Sequence, residues 1–274
     1  MELRRLDDYQ SWQVRWGGTS LLIDPWLTDD SVGGSFTRHH TPGFVGADLL
    51  EHESIAAVLL CTGVSDHARP HSLKFLTEVP IFGPANAIAV AREAGCTKTI
   101  RMRPGVSQVL TCPDGGSVRI TTTRTGQPLG LIAVGYLIEA LDSQGGTTGR
   151  IWIDPHLPSS RQARALGPLD LVLLPCHAVR ALVLPVTAGP RKVAAVAAAC
   201  SASVVVPTAT DPRRDMTAWQ RALYRVRGGS EQVQQRLGGE CQVVPMAAGD
   251  VRRVGPESRQ RSARPAPTSP PGSK

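Results

Sequence analysis

Four short apolar runs constrain this chain most strongly: Thr19–Ile23, Ile55–Cys61, Leu171–Leu174 and Ser203–Val206. Each is rich in aliphatic residues, too short for an ordinary helix and bounded by turn-forming residues, the pattern of a strand buried on both faces. Such strands belong to sheets covered by helices, because only then do both faces escape water. Partial alternation at Gln13–Trp16, Val118–Thr123, Ala133–Glu139 and Arg150–Ile153 predicts edge or half-buried strands. Helices are predicted between them at Ser72–Glu78, from Pro84-Ala85-Asn86 to Gly95, at Arg161–Leu166, at Arg191–Cys200 and at Thr217–Arg227. In the last of these, Trp219, Leu223 and Val226 form a helical stripe. Each half runs from hairpin strands to a buried strand, a polar loop and a helix, so the expected class is α/β with two similar halves. Aromatic residues are only 4% of the chain, which leaves Val, Leu, Ile and Ala to fill the core.

The net charge of +7 is concentrated at one end. Arg252, Arg253, Arg259, Arg261, Arg264 and Lys274 stand against Glu257 within 251–274, leaving about +2 for the rest of the 274 residues. The folded body is therefore expected not to bind nucleic acid, while the tail has the charge for weak contacts with anionic surfaces. From Gly255 onward the chain is mostly Pro, Ser, Arg and Gly, with too little apolar surface to offset the cost of ordering. The expected organisation is one domain over 1–250 and a disordered basic tail over 251–274. No segment approaches the roughly 18 unbroken apolar residues of a membrane span, so no membrane partner is expected. The start, Met1-Glu2-Leu3-Arg4-Arg5, lacks a secretory apolar run, and the six cysteines are widely spaced with no CxxC pair. Free thiols and a cytoplasmic setting are the expectation.

Chemistry is expected where the apolar runs end in polar loops. The run Ile55–Cys61 leads into Thr62-Gly63-Val64-Ser65-Asp66-His67. Similar ends occur at Ile153-Asp154-Pro155-His156, Leu174-Pro175-Cys176-His177, Val206-Pro207-Thr208-Ala209 and Ile23-Asp24-Pro25-Trp26. If these ends share one sheet edge, Asp24, Asp66, His67, Asp154, His156, Cys176 and His177 are neighbours. Each also has a plain structural reading: Asp66 as a cap for the next helix, Asp24 and Asp154 as turn residues before proline, His177 as a partly exposed turn residue. A nucleophilic Cys61 or Cys176, and His39-His40 as part of a lid, are lesser alternatives.

The order LLIDPWL, VLLCTGVSDHARP, VGYLIEA, GRIWIDPH, LDLVLLP and VVVPTAT resembles the metallo-β-lactamase superfamily, in the branch related to ascorbate-phosphate lactonases, across about residues 11–210. The resemblance implies a four-layer αββα sandwich. It also places Thr62 and Val64 where the family's zinc loop, His-x-His-x-Asp-His, has its leading histidines. No histidine stands near Thr123–Gln127 for the first site's third ligand, and Ala209 stands where the last family histidine falls. What it carries over residue by residue is Asp66, His67 and Asp154 as metal ligands, with His156 or His177 as additional ones. Asp66 is also a candidate general base, and Asp24 is inferred to orient a ligating side chain from behind.

The expected function is that of a degenerate metal-dependent hydrolase with at most one zinc or other divalent metal, or none. Its small-molecule substrate would be an ester, a lactone or a phosphorylated compound. The alternative is a metal-free, non-catalytic binding or scaffold protein on the same fold, since fold alone does not bring function with it.

Overall fold

Along each apolar run, alternate residues face opposite ways, and both faces are covered. Leu21 and Ile23 enter one core while Leu22 enters another, and the same division separates Ala57 and Leu59 from Val58 and Leu60. In the second half Leu171, Leu173, Val204 and Val206 face the first of these cores, and Val172, Leu174 and Val205 face a third. The period of two in a strand, with every side apolar, dictates a sheet sandwiched between two hydrophobic layers.

These positions come from a computed structural model, which describes residues 1–28, 54–209, 211–216, 218–239 and 241–255. The first half supplies β1 (Glu2–Arg5), β2 (Trp12–Trp16), β3 (Thr19–Ile23), β4 (Ile55–Leu59), β5 (Ile81–Gly83) and β6 (Thr99–Arg101). The second supplies β7 (Ser107–Thr111), β8 (Ser117–Arg124), β9 (Val134–Leu141), β10 (Thr147–Ile153), β11 (Leu171–Leu174), β12 (His177–Ala181), β13 (Leu184–Pro185), β14 (Val204–Pro207), β15 (Tyr224–Gly228), β16 (Gln242–Val243) and β17 (Val251–Arg253). One seven-stranded sheet has the order β17-β1-β2-β3-β4-β5-β6, another β16-β14-β11-β10-β9-β8-β7, and β13-β12-β15 form a small third sheet. In both large sheets an antiparallel meander passes into parallel strands, at β3-β4 in one and β10-β11 in the other.

Helices α1 (Pro70–Leu73) and α2 (Ala85–Glu93) cover the outer face of the first sheet. The second is covered by α3 (Ser160–Leu166) and α4 (Pro190–Ala199), while α5 (Ala218–Leu223) precedes β15 and α6 (Ser230–Leu237) packs beside α4. The result is the four-layer αββα sandwich. The Gly17-Gly18 pair turns β2 into β3 with φ of 55° and 77°, a mirror-image hairpin turn that residues with a Cβ adopt reluctantly.

Four expectations change. The strand predicted as edge or half-buried at Ala133–Glu139 is β9, which lies between β8 and β10 and is buried along its whole length. The predicted helix Thr217–Arg227 stops at Leu223, because Tyr224-Arg225-Val226-Arg227 alternates with a period of two and pairs with β12. Trp219 is accordingly 62% exposed rather than part of a core-facing stripe. The predicted helix Ser72–Glu78 is one α turn that tightens into a 3₁₀ turn at Lys74–Leu76. The domain does not end at residue 250: β17 pairs with β1, and Val254 is buried in the inter-sheet core. Its Arg252 and Arg253 therefore belong to a strand, whereas the tail from residue 256 and His39-His40 lie outside the described residues. Among the described residues no helix is long and apolar enough to cross a membrane.

Gly135 in β9 illustrates how tightly the centre is packed. A Cβ there would sit 2.5 Å from the Ile153 carbonyl oxygen and 2.6 Å from Thr123 Oγ1. We expect Gly135→Ala to destabilise the protein by about 1–3 kcal/mol, as overpacking does, read as a lower denaturation midpoint with an unchanged denaturant slope.

Candidate active site

Five strand ends meet at one edge of the sandwich, the place where open α/β sheets bind ligands. The loop after β4 supplies Val64, Asp66 and His67; the ends of β10, β11 and β14 supply His156, Cys176 and Ala209. His177, partly exposed as in its structural reading but the first residue of β12 rather than part of a turn, lines the same cleft of about 200 Å³. Tyr9 and Gln10 close one wall, and Val179, Gln220 and Tyr224 close another. Of the seven residues expected to be neighbours, five line this cleft. Asp24 and Asp154 lie behind it, 2% and 0% exposed.

Asp24 holds the site together. Its Oδ1 accepts the Cys61 backbone N–H at 2.7 Å, and its Oδ2 lies 2.7 Å from His67 Nδ1. The inferred orienting role of Asp24 therefore has a direct geometric counterpart, with the other ring nitrogen of His67, Nε2, left for the cleft. Asp66 is held separately: Tyr9 Oη donates to Asp66 Oδ2 at 2.5 Å, and Gln10 Nε2 donates to the Asp66 carbonyl at 3.1 Å.

The imidazoles of His67 and His156 stack with ring centroids 4.8 Å apart, yet their charges diverge. Burial works against a charged His67, but the carboxylates of Asp24 and Asp66 and the hydrogen bond to Asp24 outweigh it, and its pKa is raised. Burial, with His67 beside it, pushes His156 down to about 3, so His156 is neutral at pH 7. Asp154 Oδ1 accepts from Thr125 Oγ1 at 2.9 Å and from the His156 N–H at 3.0 Å, and burial pushes its carboxyl up to about 6. Among the described residues Asp154 Oδ2 and His156 Nδ1 have no hydrogen-bond partner. Thr125 thus stands in the stretch that lacks the family histidine, and its hydroxyl meets the carboxylate instead. His177 Nε2 is 3.9 Å from Asp211 Oδ1, and Asp211 is also paired with Arg213 at 2.6 Å.

The cysteines are poor nucleophiles here. Burial raises Cys176 to about 12, and burial followed by the charge of Asp24 raises Cys61 well above its ordinary value.

A family model described as "Beta-lactamase superfamily domain" matches residues 7–209. The chain belongs to the beta-lactamase superfamily. Among solved structures, this superfamily member is similar to an isothiocyanate hydrolase from Delia radicum gut bacteria, with 16% identity, a TM-score of 0.64 and coverage of 93% of this chain and 99% of that one. It is also similar to a metallo hydrolase from the archaeon Ignicoccus hospitalis, with 16% identity, a TM-score of 0.62 and 91% and 96% coverage. Zn(2+)-bound PqqB from Methylobacterium extorquens aligns at 15% identity with a TM-score of 0.52, over 93% of this chain and all of that one. At such identities the likeness establishes the fold. No curated protein matches the chain.

A two-ion beta-lactamase centre does not fit these residues. Thr62 Oγ1 accepts a hydrogen bond from Asn86 Nδ2 at 3.2 Å, and Val64 is an aliphatic residue 41% exposed on the cleft wall. Ala209 adds no ligand atom. A single ion has one candidate donor set among the described residues: Asp24, Cys61 and His67, all buried, bring one potential ligand atom each within 4.8 Å of one another, and an ion there would have to replace the hydrogen bond between Asp24 and His67. Oxygen, sulfur and nitrogen donors of these types suit a zinc-class ion. Among the described residues no such group unites Asp66, His67 and Asp154; His67 alone belongs to both sets. In the sequence Cys61 reads only as a candidate nucleophile, not as a ligand. Its signal was there in the strand period, which turns it inward after Ala57 and Leu59, toward the end of β3. Tyr9 had no comparable signal.

Two outcomes follow from these environments. Since His156 has a folded pKa of about 3 against an ordinary 6.5, the unfolded chain binds the extra proton between those values. Its contribution to stability is complete above pH 6.5 and fades as pH falls toward 3. Acidification from about pH 7 to about pH 4.5 should therefore cost the wild type about 2–3 kcal/mol more than His156→Gln, read by denaturant melts at both pH values. In thiol titration at neutral pH, Cys61 and Cys176 should stay unmodified in the native protein and react only after denaturation; rapid native labelling of either would contradict the raised pKa values.

Proposed function

We propose that this protein is a hydrolase of small, neutral esters or lactones that works with at most one bound metal ion. The observation that carries the reading is the cleft itself: an Asp66 carboxylate held by Tyr9 and an Asp24-anchored His67 face a largely apolar space of about 200 Å³. No Lys or Arg is among the described residues that line it. A phosphorylated substrate would find no Lys or Arg among these residues to receive its charge, only the His67 ring already paired with Asp24, so the neutral classes are favoured over the phosphorylated one. The similar solved structures include an isothiocyanate hydrolase and a metallo hydrolase, which supports a hydrolytic reading.

Asp66 is the group placed to take a proton from an attacking water, with Tyr9 fixing the carboxylate. The water oxygen forms the new bond to the acyl carbon, the bond to the leaving alkoxide breaks, and Asp66 returns the proton to that alkoxide. His67 and Asp24, with Cys61, would hold the single ion in place of the hydrogen bond that now joins Asp24 to His67, and a bound zinc-class ion would supply Lewis acidity. Pro155, Val179, Val186 and Met216 on the cleft walls seat the apolar part of the substrate and exclude water.

The second reading, a metal-free binding protein, is favoured by the missing ligands at positions 62, 64 and 209 and by the Tyr9 hydroxyl on Asp66. A panel of aryl esters and lactones, assayed with metal analysis of protein purified without added zinc, separates the two. The hydrolase reading expects turnover that falls roughly 10²–10⁴-fold in Asp66→Asn. Bound metal should not exceed one equivalent; it should be lost in Cys61→Ser and His67→Ala and kept in Asp154→Asn. Loss in Asp154→Asn with retention in Cys61→Ser would move the ion to the Asp66, His67 and Asp154 set. No turnover, with a melting midpoint raised by the same esters, would leave the binding protein.

A further inference from the structure

The small sheet has two dissimilar faces. In its antiparallel register His177 pairs with Gly228, Val179 with Val226 and Ala181 with Tyr224, and from this set His177, Val179 and Tyr224 line the cleft. The residues between them, on the opposite face, include Arg180, Arg225 and Arg227, all exposed. Arg180 sits directly across from Arg225. Like charges in a direct cross-strand pair are destabilising, and among the described residues none of the three has a salt-bridge partner.

The β12-β13 turn adds a second anomaly. Leu182, Val183 and Leu184 are 67%, 81% and 58% exposed, and Leu182 has a φ of 55°, so an unfavourable backbone holds an aliphatic tip in water. Trp219 on α5, the helix that leads into β15, is 62% exposed, and Arg221 beside it is exposed too.

We propose that this hairpin is a peripheral docking surface for an anionic lipid bilayer, with the Leu182–Leu184 tip entering the headgroup layer and the arginine face meeting lipid phosphates. Aliphatic residues and a tryptophan beside uncompensated arginines are what an interfacial contact uses. No spanning helix is needed. A phosphate backbone of nucleic acid would answer the arginines but give the aliphatic tip nothing to bury against. A second copy joined by a two-fold contact would bring Arg180 and Arg225 against their own counterparts. The bilayer satisfies both features at once. Because the other face of the same sheet lines the cleft, docking here would leave the small sheet between the cleft and the lipid.

The test is flotation of the full chain with vesicles of phosphatidylcholine alone or mixed with phosphatidylglycerol. Flotation is expected with the anionic vesicles only, and it should fall several-fold between about 0.1 and about 0.5 M salt. Arg225→Gln and Arg227→Gln should each weaken it roughly fivefold. Val183→Asp should weaken it at least about tenfold while leaving the thermal melt unchanged, since the side chain is 81% exposed. Absence of flotation with anionic vesicles overturns the proposal. So does undiminished flotation of Val183→Asp, which would assign the binding to the basic residues beyond 255. A dimer in sedimentation that Val183→Asp dissolves, without flotation of the wild type, would give the face to a second copy.

Discussion

The carboxylate of Asp24 joins the end of β3 to the end of β4 and to His67, in a place where water does not reach. Its backbone sits at a φ of 46°, a conformation that costs an L-residue about 1–2 kcal/mol. Hydrogen bonds to a charged group are worth about 1.5–3 kcal/mol each, so the two that Asp24 accepts outweigh the strain. Without it, the Cys61 N–H and the His67 ring would be left buried and unsatisfied. The direction in which His67 faces the cleft is thus a consequence of where β3 stops.

Around that anchor, burial acts on similar groups with different results. His67 and His156 are in ring contact and equally hidden from solvent, but only His67 has two carboxylates beside it. One imidazole is therefore pushed toward the charged form and its neighbour toward the neutral one. Asp154, with one oxygen satisfied and one not, is pulled toward its protonated form by the same desolvation. Where the wider family uses metal ligands, this chain places Thr62 against Asn86 and Thr125 against Asp154, while Tyr9 meets Asp66.

Legibility in the sequence followed the strength of the local pattern. Thr19–Ile23 and Leu171–Leu174 were read with their observed bounds because an apolar strand flanked by turn residues has few alternatives. The segment after Ala218 was misread because Trp219, Leu223 and Val226 fit a helical stripe by spacing, while Tyr224–Gly228 fits a strand only once β12 is beside it. Arg252 and Arg253 looked like part of a tail for the same reason: a short strand at a sheet edge depends on its partner, here β1. Neither segment contains the information that decides it.

The sequence by itself determined the α/β class with helix-covered sheets in two similar halves, since continuous apolar runs must be covered on both faces, and it marked the loops in which Asp66, His67 and His156 stand; the sandwich came from the family resemblance. It did not decide which polar side chains face the cleft and which go behind it. Strand alternation assigns a face only as far as the last paired residue; past that point the chain turns, and the direction of each side chain depends on hydrogen bonds to segments far along the sequence. Asp24 turns inward because Cys61 and His67 are there to meet it, Asp66 turns to Tyr9, and Asp154 to Thr125. Those partners become neighbours only when the two sheets stack.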